Sequence, residues 1–292
     1  MMEQKTVSIV IPAYNEAQTI GVIVRDIQTR YPEFEVIVIN DGSTDETARI
    51  AKEAGAIVYS HPYNIGNGAA IKSGVRIASG EILLLMDGDG QHLPEDIGPL
   101  LAHFPEYDMV VGARRKGHYA SWIRGLGNRI YNWFASYVAK FQVMDLTSGF
   151  RAIKADLARN LLYLLPNTYS YPTTMTLGVL RSGRSVKYVT IQGETRKKGK
   201  SHIKFTRDGI RFFMIIIKIC ALYSPLRIFL PVSFFLFFVG LSYYLYTYFT
   251  WGRFTNMSAL LFTTSIIIFM MGLVSEQICQ MRFERSEGSN LK

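Results

Sequence analysis

The sequence predicts an α/β fold: a mostly parallel sheet with helices on its faces, followed by two membrane-spanning helices. Three observations predict it. Short, β-branched apolar runs alternate with helix-like stretches through the first third of the chain. Acidic, glycine-bearing loops leave those runs at their carboxyl ends, where sheets of this kind bind ligands. Two long apolar runs then close the chain. The 292 residues, 49% of them hydrophobic, suit one enzyme-sized domain plus a membrane part.

Each element follows in order. Residues 6–11 (TVSIVI) predict a buried strand. Asn15 and Gln18 are spaced as a capping box, opening a helix through about Thr29. Glu35–Ile39 is the second strand. NDGSTDET follows it, where Ser43 and Glu46 repeat the capping-box spacing ahead of a helix to about Ala54. Ala56–Tyr59 reads as a third strand, Ala69–Ala78 as a helix, and Glu81–Met86 as a fourth strand. Met109–Val111 is another apolar strand. No internal repeat stands out.

The membrane part begins with SHIKFTRDGIRFFMIIIKICALY. Lys204, Arg207, Arg211 and Lys218 fall within about 60° on a helical wheel, with Ile and Phe on most of the rest. This predicts an amphipathic helix lying in the membrane interface, its cations on lipid phosphates. The runs from Leu226 and from Met257 each exceed the roughly 20 residues that cross a bilayer. Pro231 sits near the start of the first, where a missing N–H costs little. The formal net charge of +9 is concentrated beside these spans. A basic cluster precedes them, Arg282, Arg285 and Lys292 follow, and the connector holds only Arg253. The positive-inside rule therefore places the large domain and both termini in the cytoplasm. The N-terminal apolar run is broken by Pro12 and does not read as a signal peptide. Cys220 and Cys279 have no disulfide or metal-site spacing.

The chemistry concentrates in EILLLMDGDGQH. Asp87 and Asp89 lie on one short loop, and Gly88 and Gly90 permit tight backbone conformations there. Carboxylates this close repel unless a cation joins them. Mg²⁺ or Mn²⁺ would take both and complete its shell with phosphate oxygens and water, and Gln91 adds an amide oxygen. A cation so held would neutralise charge on a departing diphosphate. Arg114, Arg115, Arg124 and Arg129 offer phosphate contacts, as does Arg196 in RKKGKSH. NIGNGAAIKSG is a weak dinucleotide fingerprint, since its third glycine is misplaced. The five histidines lack zinc-site spacing, and neither GxSxG nor a nucleic-acid-reading motif occurs. Nucleic acid is not an expected partner.

With IPAYNE, NDGSTDET, NIGNGAAIKSG, DGDGQH and DLTSGFRA in this order, the chain resembles family-2 glycosyltransferases of the GT-A fold, a Rossmann-like, mostly parallel design. More narrowly it resembles polyprenyl-phosphate glycosyltransferases, the group of dolichyl-phosphate mannose synthases and bacterial undecaprenyl-phosphate sugar transferases. The resemblance implies a GT-A catalytic domain over residues 1–201, an interfacial helix over 202–223, spans at 226–250 and 257–281, and a tail at 282–292. It implies a hexosyltransferase that moves a sugar with inversion from a nucleotide sugar to a polyprenyl phosphate, using Mg²⁺ or Mn²⁺. Pro12, Tyr14, Glu16 and Asp41 would line the nucleotide pocket, and Asp87, Asp89 and Gln91 would gather around the metal. Gly88 would let the loop approach the sugar. Arg114 and Arg196 would approach the donor diphosphate or acceptor phosphate, with Arg124 and Ser148 near the acceptor. Asn40 replaces the second aspartate of many relatives, which leaves Asp41 for the nucleotide and favours a UDP-sugar, with GDP-mannose next.

Three rivals differ in sequence terms. A processive polysaccharide synthase would carry QxxRW and more spans. A transferase acting on a glycerolipid or other lipid hydroxyl would need a base, for which Asp145 is the candidate. A non-catalytic membrane module binding nucleotide sugars would have lost the metal carboxylates, which are intact here.

Overall fold

The computed structural model describes residues 6–90, 92–114, 129, 132, 133, 135–137, 139–167, 171–191 and 224–287. The chain divides into two compact units, Met1–Phe212 and Phe213–Lys292.

The first unit is built on a seven-stranded sheet. Its strands are β1 (Val7–Ala13), β2 (Glu35–Asn40), β3 (Ile57–Ser60), β4 (Ile82–Leu85), β5 (Met109–Arg114), β6 (Arg151–Lys154) and β7 (Val186–Ile191). Their order across the sheet is β3-β2-β1-β4-β6-β5-β7. Strands β1 to β4 are parallel, β6 runs antiparallel to β4 and β5, and β7 is parallel to β5. Among its described residues the unit also carries helices α1 (Ile20–Arg30), α2 (Thr47–Glu53), α3 (Asn67–Ile77), α4 (Ile97–Leu101), α5 (Ala155–Asn160) and α6 (Tyr171–Arg181). This is the mostly parallel GT-A architecture, with β6 as the reversed strand.

The apolar runs of β1 and β4 are continuous because both faces of the sheet are covered. Ile9 and Ile11 pack with Ile20, Val24 and Ile27 of α1. Val10, between them in sequence, faces Ala70, Ile71 and Val75 of α3. Each fully buried Ile contributes about 2 kcal/mol of transfer free energy. Gly74 brings α3 against β1: a Cβ there would lie 2.2 Å from Val10 Cγ1.

Register decides where the loops meet. Val10 pairs with Leu85, and Ala13 with Asn40, so β1, β2 and β4 end at one edge. Because β6 is reversed, its first residue, Arg151, stands opposite Leu85 and Val111. The segment entering β6 therefore arrives at the edge from which the parallel strands leave.

The helix starts differ from the capping-box reading. Helix α1 begins at Ile20 after Thr19, and α2 at Thr47 after Glu46. Asn15 is left-handed, with φ of 55°, and Asn15 Oδ1 accepts from the Thr44 N–H at 2.9 Å. Ser43 Oγ in turn accepts from the Asn15 N–H at 3.0 Å. The capping residues thus bind each other's loops instead of their own helices.

The second unit is a hairpin of two helices, α7 (Leu226–Trp251) and α8 (Asn256–Glu287). Both are long and apolar enough to cross a membrane, with mean hydropathy 2.0 and 2.2, and only 11% and 17% of these stretches is buried within the protein. The buried residues are small ones spaced by seven: Ser233, Gly240 and Thr247 on α7, and Ser258, Ser265, Gly272 and Cys279 on α8. The large apolar side chains face outward, the reverse of a water-soluble hairpin. In lipid, helices associate by close backbone approach and polar contacts rather than by hiding Leu and Phe. Ser233 Oγ donates to the Ser265 carbonyl, and Ser265 Oγ to the Ser233 carbonyl, each at 2.9 Å. Hydropathy passes over this repeat because Ser, Gly, Thr and Cys are small and uncharged. Pro231 lies inside α7, beyond the four N–H groups that a helix start leaves unpaired. Helix α8 continues to Glu287, into the expected tail, while the predicted interfacial helix lies outside the described residues.

Candidate active site

Three loops leave the shared strand edge and are bonded into one cradle. The Glu16 N–H donates to Thr47 Oγ1 at 2.9 Å, and the Ala17 N–H to Asp45 Oδ2 at 3.3 Å. With the Asn15–Ser43–Thr44 bonds, these tie the β1–α1 loop to the β2–α2 loop. Thr19 Oγ1 donates to the Gly88 carbonyl at 2.8 Å and ties the first loop to the Asp87–Gly90 turn. The main chain contributes one bond between the first two, from the Asp41 N–H to the Ala13 carbonyl at 2.9 Å, and the side-chain bonds extend that link across the loops.

Asp87 is hemmed in on several sides. Its side chain is 34% exposed, and His92 Nε2 lies 3.7 Å from Oδ2. A Cβ on Gly149 would stand 2.5 Å from the same oxygen, so the segment entering β6 presses on Asp87 where only glycine fits. Burial works to raise the Asp87 carboxyl, but His92, Asn67 and the Arg151 charge together hold it below the usual carboxylate range. His92 is buried and stacks on Phe150 with centroids 5.0 Å apart. Asp89 is half-buried on the same turn. Two carboxylates on one glycine turn, with Asp87 held below the usual carboxylate range, form a donor set that fits a hard divalent cation.

The other expected site residues divide. Pro12 is buried at the end of β1, Tyr14 is exposed at the edge, and Glu16 is half-buried in the cradle. Gly88 is buried, and a Cβ there would lie 3.1 Å from the Pro12 carbonyl. Arg114 closes β5 at the same edge, through its backbone position. Gln91, Arg124 and Arg196 lie outside the described residues.

Asp41 and Ser148 are both buried. Asp41, expected in the nucleotide pocket, turns inward and is 3% exposed. It accepts from His61 Nδ1 at 2.7 Å, the Ile65 N–H at 3.0 Å and the Gly66 N–H at 2.8 Å. The last two bonds shape the loop ahead of α3. Ser148, expected near an acceptor, is buried and donates to the Gly112 carbonyl at 2.6 Å. Its hydroxyl joins β5 to the segment entering β6.

Arg151 escaped the sequence reading, although a cation opening the apolar FRAI run was a visible signal. It is fully buried, and donates to the Pro172 carbonyl at 2.7 Å, to Thr176 Oγ1 at 3.1 Å and to the Ser148 carbonyl. Burial lowers its pKa, opposed by Tyr171, Tyr188, Asp145 and Asp87. Thr19, Asn67 and Gly149 were missed for another reason: each acts on the Asp87 turn from a distant part of the sequence, whereas His92 stands five residues after Asp87, within the motif itself.

Comparison with known proteins agrees with this geometry. Residues 8–162 match the family described as glycosyl transferase family 2, and residues 224–281 match the GtrB C-terminal hairpin. The chain is 29% identical over 208 residues to an undecaprenyl-phosphate mannosyltransferase of Micrococcus luteus, covering 66% of this chain and 85% of that protein. It is 26% identical to the undecaprenyl-phosphate 4-deoxy-4-formamido-L-arabinose transferase of Proteus mirabilis, covering 76% and 69%. The fold resembles glucosyl-3-phosphoglycerate synthase of Mycobacterium tuberculosis, solved with Mn²⁺, UDP and phosphoglyceric acid. There the TM-score is 0.59 at 20% identity, covering 74% of this chain and 78% of that one. A GT-A sheet whose loops converge on an Asp-Gly-Asp turn, joined in one chain to a GtrB-type hairpin, belongs to glycosyl transferase family 2.

Proposed function

We propose that this glycosyltransferase moves a sugar, with inversion, from a nucleotide-sugar donor to a polyprenyl phosphate, with a UDP-sugar as first choice of donor and GDP-mannose next. The observation that carries the proposal is the Asp87–Gly90 turn, held by Thr19, Asn67, His92 and Gly149 beside the β1–α1 and β2–α2 loops. Asp87, Asp89 and Gln91 are the proposed holders of Mg²⁺ or Mn²⁺. Such an ion, when bound, neutralises charge on a departing diphosphate. Pro12, Tyr14, Glu16 and Gly88 are the proposed nucleotide-sugar wall. Arg114 and Arg196 are proposed for the donor diphosphate or acceptor phosphate, and Arg124 for the acceptor. The Micrococcus and Proteus relatives, both named for undecaprenyl phosphate, support the acceptor, and the mycobacterial synthase's Mn²⁺ and UDP support the metal and donor.

A phosphate monoester is already anionic at neutral pH, so the site must supply position and electrostatic stabilisation more than a strong base. The lipid-hydroxyl alternative needs a base within reach of its substrate. Asp145 is 2% exposed and accepts from the Thr147 N–H and hydroxyl, which gives that alternative no support. The proposed layout is a cytoplasmic catalytic domain over residues 1–201, an interfacial helix over 202–223, spans at 226–250 and 257–281, and a cytoplasmic tail over 282–292.

The test is a transfer assay with the full chain in detergent, polyprenyl phosphate, Mn²⁺ or Mg²⁺ and a panel of UDP- and GDP-sugars, read by mass. A metal-dependent polyprenyl-phosphate monosaccharide from one donor, lost in Asp89→Ala, is the expected result. Glycosylation of a lipid alcohol instead overturns the acceptor assignment.

A further inference from the structure

We infer that Thr19 is a positioning residue, whose hydroxyl holds the Asp87–Gly90 turn in the shape that binds the divalent cation. This rests on the metal-assisted transfer proposed above and adds a residue to it.

Thr19 is the N-cap of α1, yet its side chain makes no capping bond. A threonine in that position ordinarily accepts from an N–H of its own first turn. Here the hydroxyl leaves its helix and reaches the Gly88 carbonyl, 69 residues away in sequence, at 2.8 Å. Its one hydrogen has two other acceptors in range, the Glu16 carbonyl at 3.3 Å and Glu16 Oε2 at 3.4 Å, both distinctly longer. A local preference given up for a distant contact marks a site where function outranks helix stability.

Gly88 is the peptide between the two aspartates, so the direction of its carbonyl helps set how the Asp87 and Asp89 side chains are presented. Glycine supplies no side chain to hold that peptide, and Gly90 follows in the left-handed region with φ of 77°. Such a turn needs an anchor from outside. Thr19 supplies it, and its neighbour Glu16 is in turn fastened to Thr47. The anchor thus makes the β1–α1 loop, proposed to line the nucleotide pocket, and the carboxylate turn one rigid piece.

The experiment compares wild type, Thr19→Val and Thr19→Ser as full-length protein in detergent, titrating Mn²⁺ in the transfer assay and measuring Mn²⁺ binding directly with UDP present. Thermal midpoints without metal report on folding. Valine keeps the branched shape and removes the hydroxyl; serine keeps the hydroxyl. The expected result is a Mn²⁺ half-saturation about tenfold higher in Thr19→Val, the effect of one lost hydrogen bond, and within about twofold of wild type in Thr19→Ser. A lower midpoint or maximal rate in Thr19→Val with unmoved Mn²⁺ half-saturation means a merely structural threonine and overturns the inference alone. Wild-type transfer that ignores Mn²⁺ and Mg²⁺ overturns both the inference and the metal-assisted reading.

Discussion

His61 Nδ1 and Asp41 Oδ1 are 2.7 Å apart in the buried floor beneath the site, and His61 Nε2 lies 2.9 Å from Ser73 Oγ. The pattern has the order of a hydrolytic triad, but the hydroxyl sits within α3 and the aspartate also holds the Ile65 and Gly66 N–H groups. The histidine braces the end of β2, helix α3 and the loop joining β3 to α3.

Asp41→Asn leaves this brace with one fewer acceptor and a mismatched amide. The expected outcome is a loss of about 3 kcal/mol, seen as a lower thermal midpoint, together with weaker donor binding. An unchanged midpoint with raised donor KM would return Asp41 to the nucleotide-contact role that its motif implied.

Gly149→Ala tests the pressure on Asp87. The added methyl would meet Asp87 Oδ2 at 2.5 Å, and the carboxylate must turn away. Turnover is expected to fall about a hundredfold, the usual result of misplacing a reacting group by about 1 Å, with the thermal midpoint within a few degrees of wild type. Unaltered turnover would show that Asp87 tolerates reorientation.

Asp108 links strands at the far end of the sheet. It receives Lys154 Nζ at 2.7 Å and the Ser185 N–H and hydroxyl, each at 2.9 Å. Burial alone would raise this carboxyl, but Lys154 and Ser185 bring it down to about 2. A depressed folded value means the stabilisation is complete above the unfolded value near 4 and is lost as pH falls toward 2. Asp108→Asn is expected to unfold with about 2 kcal/mol less stability at pH 7. Its midpoint should converge on that of wild type between pH 4 and pH 2; a constant gap across that window would mean the charge is not responsible.

Gly240→Leu tests the hairpin seam. A Cβ at Gly240 already lies 3.0 Å from Leu261 Cβ, so a larger side chain pushes α7 from α8. A double-cysteine pair across the seam, Ser233→Cys with Ser265→Cys, is expected to cross-link readily in the parent and several-fold more slowly with Gly240→Leu. The same substitution at outward-facing Val239 should leave the rate unchanged.

Strands β1 to β5, the two long apolar helices and the Asp-Gly-Asp turn were legible in the chain because each is written in contiguous residues, whereas the short β6 and β7 were not. A buried strand needs an unbroken apolar run, a span needs about twenty apolar residues, and a carboxylate pair on one turn needs only its own glycines. The seven-residue spacing of small residues in the hairpin was equally present, but it yields to a search for side-chain size and not for hydropathy. Partner choice belonged to the tertiary structure. Asn15, Ser43 and Thr19 are capping types, yet they bind across loops because β1, β2 and β4 end in register and bring those loops within hydrogen-bond reach. Asp41 and Ser148 point inward, where His61 and the Gly112 carbonyl lie within hydrogen-bond reach. Gly149 and Arg151 joined the site because β6 runs backwards, a topology that no local pattern encodes. Sequence specified which polar and charged groups stand on these loops; distances across the sheet edge decided what each one holds, since a hydrogen bond depends on separation in space and not along the chain.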